Sequence, residues 1–366
     1  MISQILRFTP ALLLTFSLAG SPAFAGPVYT LTDLGTLLGG SASMAHAINA
    51  NGYITGWSST SGSPNQAYRS DGATMTPLGT LGGNQSTGWG INDSNTVVGN
   101  AQTSGGEFRP FIDNGGGMQD LGTLGGQEGY ARDINNAGQV VGESQTGSGA
   151  FHATLWDGGV TDLGTLGGDH SYGMAVNASG VAVGFSLLAD NLTNAAFMWD
   201  SVNGMQDLGT LGGSTAEAHD INDAGTVVGF SELAGGEVRA FMKTAGGSML
   251  DLGSLGGDGG SRAFAVNASN QVVGHSSFAD GVPMIHAFLF TDGILHDLND
   301  LVVGASDWTL REARGINDAG QIVGFGMVDG DMRAFLLTET SVDEQVPAPT
   351  ALWLMAGFLP WFRHRS

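Results

Sequence analysis

The sequence contains no cysteine, and that absence alone excludes a disulfide framework, a Cys-ligated zinc, an iron–sulfur cluster and a thiol nucleophile. Basic residues are also scarce: 12 Lys and Arg stand against 34 Asp and Glu in 366 residues, a formal charge of -22. Clustered cations are what neutralise phosphates, so a chain this acidic is not built for nucleic-acid binding. Apolar spacing of helical period is missing too. What is abundant is glycine, at 61 residues more than twice the ordinary share. Glycine at that level marks low complexity where apolar residues are few, but here 42% of the chain is hydrophobic, with 18 Phe and 7 Trp. Such a chain can bury a core, so its glycines call for a geometric explanation. Its length allows two ordinary domains or one large repeat fold.

The two ends read as addresses. Residues 1–25 carry one basic residue, Arg7, an apolar run from Ala11 to Leu18, and small residues ending Ala23-Phe24-Ala25 before Gly26. That is the order of a secretory signal peptide, cut by signal peptidase between Ala25 and Gly26; the alternative is an N-terminal membrane anchor. At the other end a linker, residues 341–345, leads into Val346-Pro347-Ala348-Pro349, an apolar run over 350–362 and a basic end with Arg363 and Arg365. The run is short for a bilayer span and carries Pro360, which suits transient membrane association or a short amphipathic tail. In motif, run and basic end the segment resembles the PEP-CTERM sorting signal of Gram-negative bacteria, in a variant with Ala348 where Glu commonly stands. The resemblance implies an exosortase as processing partner, cleavage near Val346 to Pro349, and release or attachment at the cell surface. Between the two ends lie all 34 acids but only nine of the 12 bases, a balance that favours solubility and association with cations.

Internal repetition dominates the middle. An Asp-Leu-Gly-Thr-Leu-Gly-Gly motif recurs with its first Leu at Leu34, Leu78, Leu121, Leu163, Leu208 and Leu252, and in degenerate form at Leu298. Three further marks appear seven times each. An Ile/Val-Asn pair places its Asn at 49, 92, 135, 177, 222, 267 and 317, and a Val-Val-Gly-like run ends at Gly56, Gly99, Gly142, Gly184, Gly229, Gly274 and Gly324. An Ala-Phe-like pair follows with Tyr68, Phe111, Phe151, Phe197, Phe241, Phe288 or Phe335. Each unit reads as four short extended segments separated by turn residues. After each Asn the turn places Gly in five copies and Asn in two, the residues that best tolerate a left-handed backbone.

Four strands in about 43 residues match one blade of a β-propeller. The expected fold is therefore all-β: a seven-bladed β-propeller of four-stranded antiparallel blades over residues 26–340. The phase of the repeat supports closure over an open solenoid. The chain enters in a fourth strand, Val28 to Leu34, and leaves in a third, Arg333 to Thr338, so the N-terminal strand completes the last blade and no open edge remains. The units resemble the HAF extracellular repeat, whose name-giving triplet stands at His286, Ala287 and Phe288, with variants at Arg109-Pro110-Phe111, Arg239-Ala240-Phe241 and Arg333-Ala334-Phe335. The resemblance implies an exported or surface-displayed bacterial protein and carries no established enzymatic activity with it.

Repeats put shared residues into scaffold and leave differences where function can reside. Two positions before the Ile/Val of each first strand stand His46, Trp89, Arg132, Met174, His219, Phe264 and Arg314, each preceded by Ala or Gly. If that strand is innermost, the small residues let blades converge while the large ones ring the channel. Such a ring suits sugar or carboxylate recognition, against the plainer alternative of interblade packing. The acids that open the Asp-Leu-Gly motifs, Asp33, Asp120, Asp162, Asp207, Asp251 and Asp297, are replaced by Pro77 in one copy and so read as structural hydrogen-bond partners of a neighbouring loop rather than as catalytic groups. No dedicated calcium loop, zinc-binding His pair, nucleophile elbow or nucleotide loop is present, so no cofactor is expected beyond weak calcium association through overall charge. The expected function is a non-enzymatic binding or matrix module, with extracellular polysaccharide as partner. A glycan-active hydrolase and a calcium-bridged matrix protein are the alternatives.

Overall fold

The computed structural model describes residues 26–61, 63–256, 259–277 and 284–340. The signal-peptide and sorting-signal expectations fall outside these residues, Gly26 excepted. Seven four-stranded antiparallel sheets form the seven blades of a propeller. Blades one to seven start from the inner strands Ser43–Ile48, Gly82–Ile91, Gly125–Ile134, Gly167–Val176, Gly212–Ile221, Ser261–Val266 and Trp308–Ile316, and each runs outward in chain order. The seventh blade takes its outermost strand from the other end of the chain. Tyr29–Asp33 pairs with Asp331–Glu339 in a register running from Tyr29 opposite Glu339 to Asp33 opposite Phe335. Among the described residues the one helix is a single turn, Leu298–Leu301, where the seventh copy of the Asp-Leu-Gly motif has lost its glycines.

The seam between blades is where the repeated asparagines act. Each Nδ2 donates to the backbone carbonyl of the next blade's asparagine, from Asn49 to Asn92 and onward around the ring until Asn317 donates back to Asn49, at 2.8–3.3 Å. Each Oδ1 meanwhile accepts the backbone N–H groups two and four residues on, fastening its own hairpin. All seven side chains are buried. The residue closing each hairpin has the expected positive φ, from 59° at Asn270 to 87° at Gly138.

The glycine that ends each Val-Val-Gly run answers to a close approach. A Cβ at Gly184 would sit 1.9 Å from the Tyr172 carbonyl oxygen, and the six equivalent glycines meet the same obstacle at 1.9–2.0 Å. That carbonyl belongs to the inner strand just before a β-bulge, and every inner strand has one at the same place. The register skips His46, Trp89, Arg132, Met174, His219, Phe264 and Arg314. A bulge re-aims side chains, here the variable ones, at the rim of the axis.

The hydrophobic core is divided among the interblade seams. Tyr68, Phe111, Phe197, Phe241, Phe288 and Phe335 are fully buried against small residues and β-branched residues of neighbouring strands, as Tyr68 is against Ala45, Val323 and Ala334. The third blade corrects the sequence assignment. Thr154, not Phe151, lies opposite Gly142, so its triplet is His152-Ala153-Thr154 and Phe151 is only half-buried near the blade's end. The letters Ala150-Phe151 imitate the motif three residues early, and Trp156, packed with Val98, Ala131, Ile134 and Val140, supplies aromatic bulk in that seam. The acids of the Asp-Leu-Gly motifs accept hydrogen bonds from the backbone N–H two residues on, Asp162 from Gly164 at 2.8 Å for example, so they close their own turns and do not reach to neighbouring loops. The triplet's first residue ties back to the same acids: Arg109 to Asp120, His152 to Asp162 and His286 to Asp297.

Two outcomes test this architecture. Deleting residues 26–34 removes the buried Tyr29 and a five-pair ladder, and we expect the melting temperature to fall by about 10 °C or more. An unchanged melting curve would show that the N-terminal strand does not close the ring. Replacing Asn177 by Ala leaves the Asn222 carbonyl and the N–H groups of Ser179 and Val181 without their partner. Urea unfolding should register a loss of ~2–4 kcal/mol; a loss within experimental scatter would mean the relay contributes nothing to stability.

Candidate functional site

The seven variable residues meet in one place. His46, Trp89, Arg132, Met174, His219, Phe264 and Arg314 all line an axial cavity of about 210 Å³. A second cavity of about 250 Å³ opens at the hairpin face and is lined by the asparagine relay with Ala50, Asp93, Asn136, Ala178, Asp223, Ala268 and Asp318. Both touch the ring of Ile and Val residues that separates the variable ring from the asparagines.

The variable side chains form a nearly continuous girdle. His46 stacks on Trp89 with ring centroids 4.0 Å apart and planes 2° from parallel, and the guanidinium of Arg132 lies 4.8 Å from the centre of the same indole. Trp89 is thereby engaged from the blades on either side. Farther round, His219 meets the edge of Phe264 at 5.5 Å, and Arg314 lies over Phe264 at 4.2 Å. Channel lining and interblade packing, posed as alternatives by the sequence, are combined in these residues. The aromatic faces already hold protein partners.

The two arginines are likewise engaged. Arg132 donates from Nε to both carboxylate oxygens of Glu143 at 3.1 Å and from a terminal nitrogen to Glu143 as well, and Glu143 is 2% exposed. Burial opposes the Arg132 charge, but Glu143 prevails and raises its pKa above the ordinary value. Arg314 donates from Nε to Glu312 at 2.6 Å, and His275 approaches the same carboxylate at 3.4 Å. Burial works against the Glu312 charge, yet His275 and Arg314 together hold its pKa below the usual carboxylate value. Burial lowers both ring histidines, His46 to about 3 with a further push from Arg314, so the imidazoles are neutral. His46 Nδ1 lies 2.8 Å from the Gly88 carbonyl, which fixes Nδ1 as a donor.

Beneath the girdle lie two carboxylates that the sequence reading did not single out. The residues following the variable ones are Ala47, Gly90, Asp133, Ala175, Asp220, Ala265 and Gly315. Five carry little or no side chain, and the bulge turns the two aspartates into the same cavity as the ring. That contrast in an otherwise small-residue column was the available signal. Asp133 accepts the Val176 N–H at 2.9 Å and Asp220 the Val266 N–H at 2.8 Å, each on the following blade. Both keep contact with channel space while the inner strands enclose them. Burial raises Asp133, and burial with the repulsion of Asp133 raises Asp220 to about 7. With the guanidiniums tied to Glu143 and Glu312, Asp133 and Asp220 are the acidic groups of this lining without an ion-pair partner among the described residues. Among the described residues no three metal-ligating side chains converge, and no helix is long and apolar enough to cross a membrane.

The raised Asp220 has a thermodynamic consequence. Between the ordinary carboxylate value near ~4 and about 7 the folded state binds a proton that the unfolded chain has released, so stability falls as pH rises through this window and levels off above it. Asp220→Asn keeps an acceptor for Val266 and removes the charge. We expect it to gain ~2 kcal/mol over the parent at pH 8, after discounting for channel water, with the difference vanishing near pH 4. Parallel stability–pH curves for variant and parent would show the carboxylate to be ordinary.

No family model matches the chain, and no curated protein matches it in sequence. Solved structures with a similar course of the chain include TolB from Acinetobacter baumannii, at 12% identity and TM-score 0.44, covering 82% of this chain and 65% of that one. The SapL1 lectin in complex with alpha methyl fucoside matches at 12% identity and TM-score 0.41, covering 70% and 96%. Trypanosoma rangeli sialidase matches at 11% identity and TM-score 0.41, covering 81% and 54%. The chain thus spans less than two thirds of TolB and about half of the sialidase, and the likeness is confined to general architecture.

Proposed function

We propose that the chain is an exported, non-enzymatic binding propeller of the bacterial cell surface or extracellular matrix, which engages polysaccharide at its axial cavity. The observation that carries this reading is the convergence on one cavity of the seven positions that vary between otherwise repeated blades. A scaffold that keeps its asparagines and second-strand glycines in all seven blades, and its buried aromatic in six, sets a different group of side chains from each blade at the axis. The end signals support the location: a signal peptide with cleavage at Ala25-Gly26 delivers the chain across the inner membrane, and an exosortase acting at Val346-Pro347-Ala348-Pro349 completes its sorting to the surface. A glycan hydrolase is the second reading, and the coupled carboxylates Asp133 and Asp220 favour it, because one held protonated near neutrality beside another is the disposition of an acid and its partner.

One assay separates them. The purified secreted protein is incubated with a panel of matrix polysaccharides while retention and reducing-end release are both measured. Binding without release is expected; release abolished by Asp220→Asn would replace the binding reading with the enzymatic one, and absence of both retention and release would overturn each.

A further inference from the structure

Asparagine is followed by glycine at three places in the chain, Asn51-Gly52, Asn114-Gly115 and Asn203-Gly204. In such a pair the glycine nitrogen, with no side chain beside it, can attack the side-chain carbonyl carbon of the asparagine. Whether it does so in a folded protein depends on how firmly the turn is held. Two of the three are held. Asn51 lies in the first hairpin, where the Gly52 N–H donates to the Asn49 carbonyl at 3.1 Å and the Asn49 N–H to that of Tyr53 at 2.9 Å. Its own N–H donates to Asn49 Oδ1 at 3.0 Å, and its side-chain amide to the Asp93 carbonyl of the next blade at 3.0 Å. Asn203 donates from backbone and side chain to the two carboxylate oxygens of Asp200, at 2.8 and 2.9 Å, and Gly204 is paired opposite Asp200 at the start of a strand.

The third is open. Asn114 heads the turn between the third and fourth strands of the second blade and is followed by Gly115, Gly116 and Gly117, all exposed. No backbone–backbone hydrogen bond crosses residues 114–118. A side chain at Gly115 or Gly117, both at φ 97°, would meet nothing within 4 Å, so no neighbour confines the backbone there. Asn114 Oδ1 accepts the Gly116 N–H at 3.2 Å, but its amide nitrogen, the group that has to leave, has no partner among the described residues. The Gly115 N–H points at Asp113 Oδ1, 2.7 Å away, so the proton of the nucleophile already faces an acceptor.

We propose that Asn114 is a site of spontaneous covalent modification, deamidation to aspartate and isoaspartate. The Gly115 nitrogen forms a bond to the Asn114 side-chain carbon and loses its proton, and the side-chain nitrogen departs as ammonia, which leaves a cyclic imide. Water then opens the imide at either carbonyl, giving aspartate when the new bond is cleaved and isoaspartate when the original backbone bond is. Nothing but water is consumed. The glycine run has the freedom to absorb the extra backbone carbon of isoaspartate, whereas the closed hairpin at Asn51 does not. Asn114 lines neither axial cavity, so the reaction adds a carboxylate to the hairpin face and is independent of what those cavities bind.

The test incubates the secreted protein at mildly alkaline pH, where the glycine amide gives up its proton more readily, and follows each Asn-Gly pair over time by peptide mapping and mass spectrometry, with isoaspartyl methyltransferase to label isoaspartate. We expect Asn114 to convert at least about tenfold faster than Asn51 or Asn203, each of which has to break two or more hydrogen bonds first. In urea the three should convert at like rates, because the unfolded chain presents each as the same dipeptide. Asn114→Gln, whose longer side chain closes the imide ring less readily, should silence the site. Equal rates in the folded protein, a faster Asn51 or Asn203, or no conversion at Asn114 while the urea sample reacts would overturn the assignment. An advantage of Asn114 that persists in urea overturns it too, since the cause would then be neighbouring sequence and not the turn. Fully converted protein should keep the melting temperature of the parent, whereas Asn51→Asp, which removes the donor to the Asp93 carbonyl, should lower it. A melting temperature that falls in step with conversion at Asn114 would show that the turn is not free to take the product.

Discussion

The closed relay of seven asparagines is the interaction on which the rest of the structure depends. Each side chain uses its acceptor to fasten its own hairpin and its donor to hold the next blade. Two levels of structure, local turn and ring closure, are therefore set by one residue in each blade. Because the bond runs head to tail between identical contacts, it would propagate as an open helix unless the rotation per blade closed the circle. Closure is reached when Asn317 donates to Asn49, a bond between residues 268 positions apart. The pairing of Tyr29–Asp33 with the last blade then secures the outer edge of the same circle.

Holding seven inner strands this close to one axis constrains everything that points inward. The positions ahead of the bulge are Ala or Gly, and a Cβ at Gly88 would come within 2.1 Å of the Thr55 hydroxyl on the neighbouring blade. The bulge relieves the crowding by pushing one residue per strand out of register, and the carbonyl before it leaves no room for a side chain on the second strand. Glycine in the Val-Val-Gly run and freedom of residue type at the bulge are two outcomes of one backbone feature. The large glycine content thus reports a steric requirement of convergence, together with the left-handed hairpin positions.

Much of this was legible in sequence because repetition makes position readable. The blade count, the antiparallel four-strand unit, the closing strand, the positive-φ hairpin residue and the convergence of His46 to Arg314 all follow from spacing and residue type. What escaped was whatever depended on register or on a partner from another part of the repeat. Phe151 matched the motif by letter, but the hairpin after Thr146 sets the pairing so that Thr154 faces Gly142. Glu143 and Glu312 occupy unlike places in their blades, one on a second strand and one on an inner strand, so no column of the repeat marks them as partners of Arg132 and Arg314. Asp133 and Asp220 had a column of their own, but their significance required knowing that a bulge turns two successive side chains toward the axis.

Those ion pairs also alter what the composition means. A ring containing two arginines reads as a site for anions so long as the guanidiniums are counted as free. Once each is bonded to a buried or nearly buried glutamate, the ionisable groups left without an ion-pair partner in the lining are Asp133 and Asp220, whose charged forms burial opposes. The same enclosure that raises Asp220 toward neutrality makes any cation placed beside it interact through a medium less screening than bulk water. An unpaired carboxylate in such a place is a standing cost to the fold that Ala or Gly avoids in the other five blades. That cost is greatest when both aspartates are ionised, so the folding equilibrium of the ring weakens as pH rises through the range in which Asp220 gives up its proton.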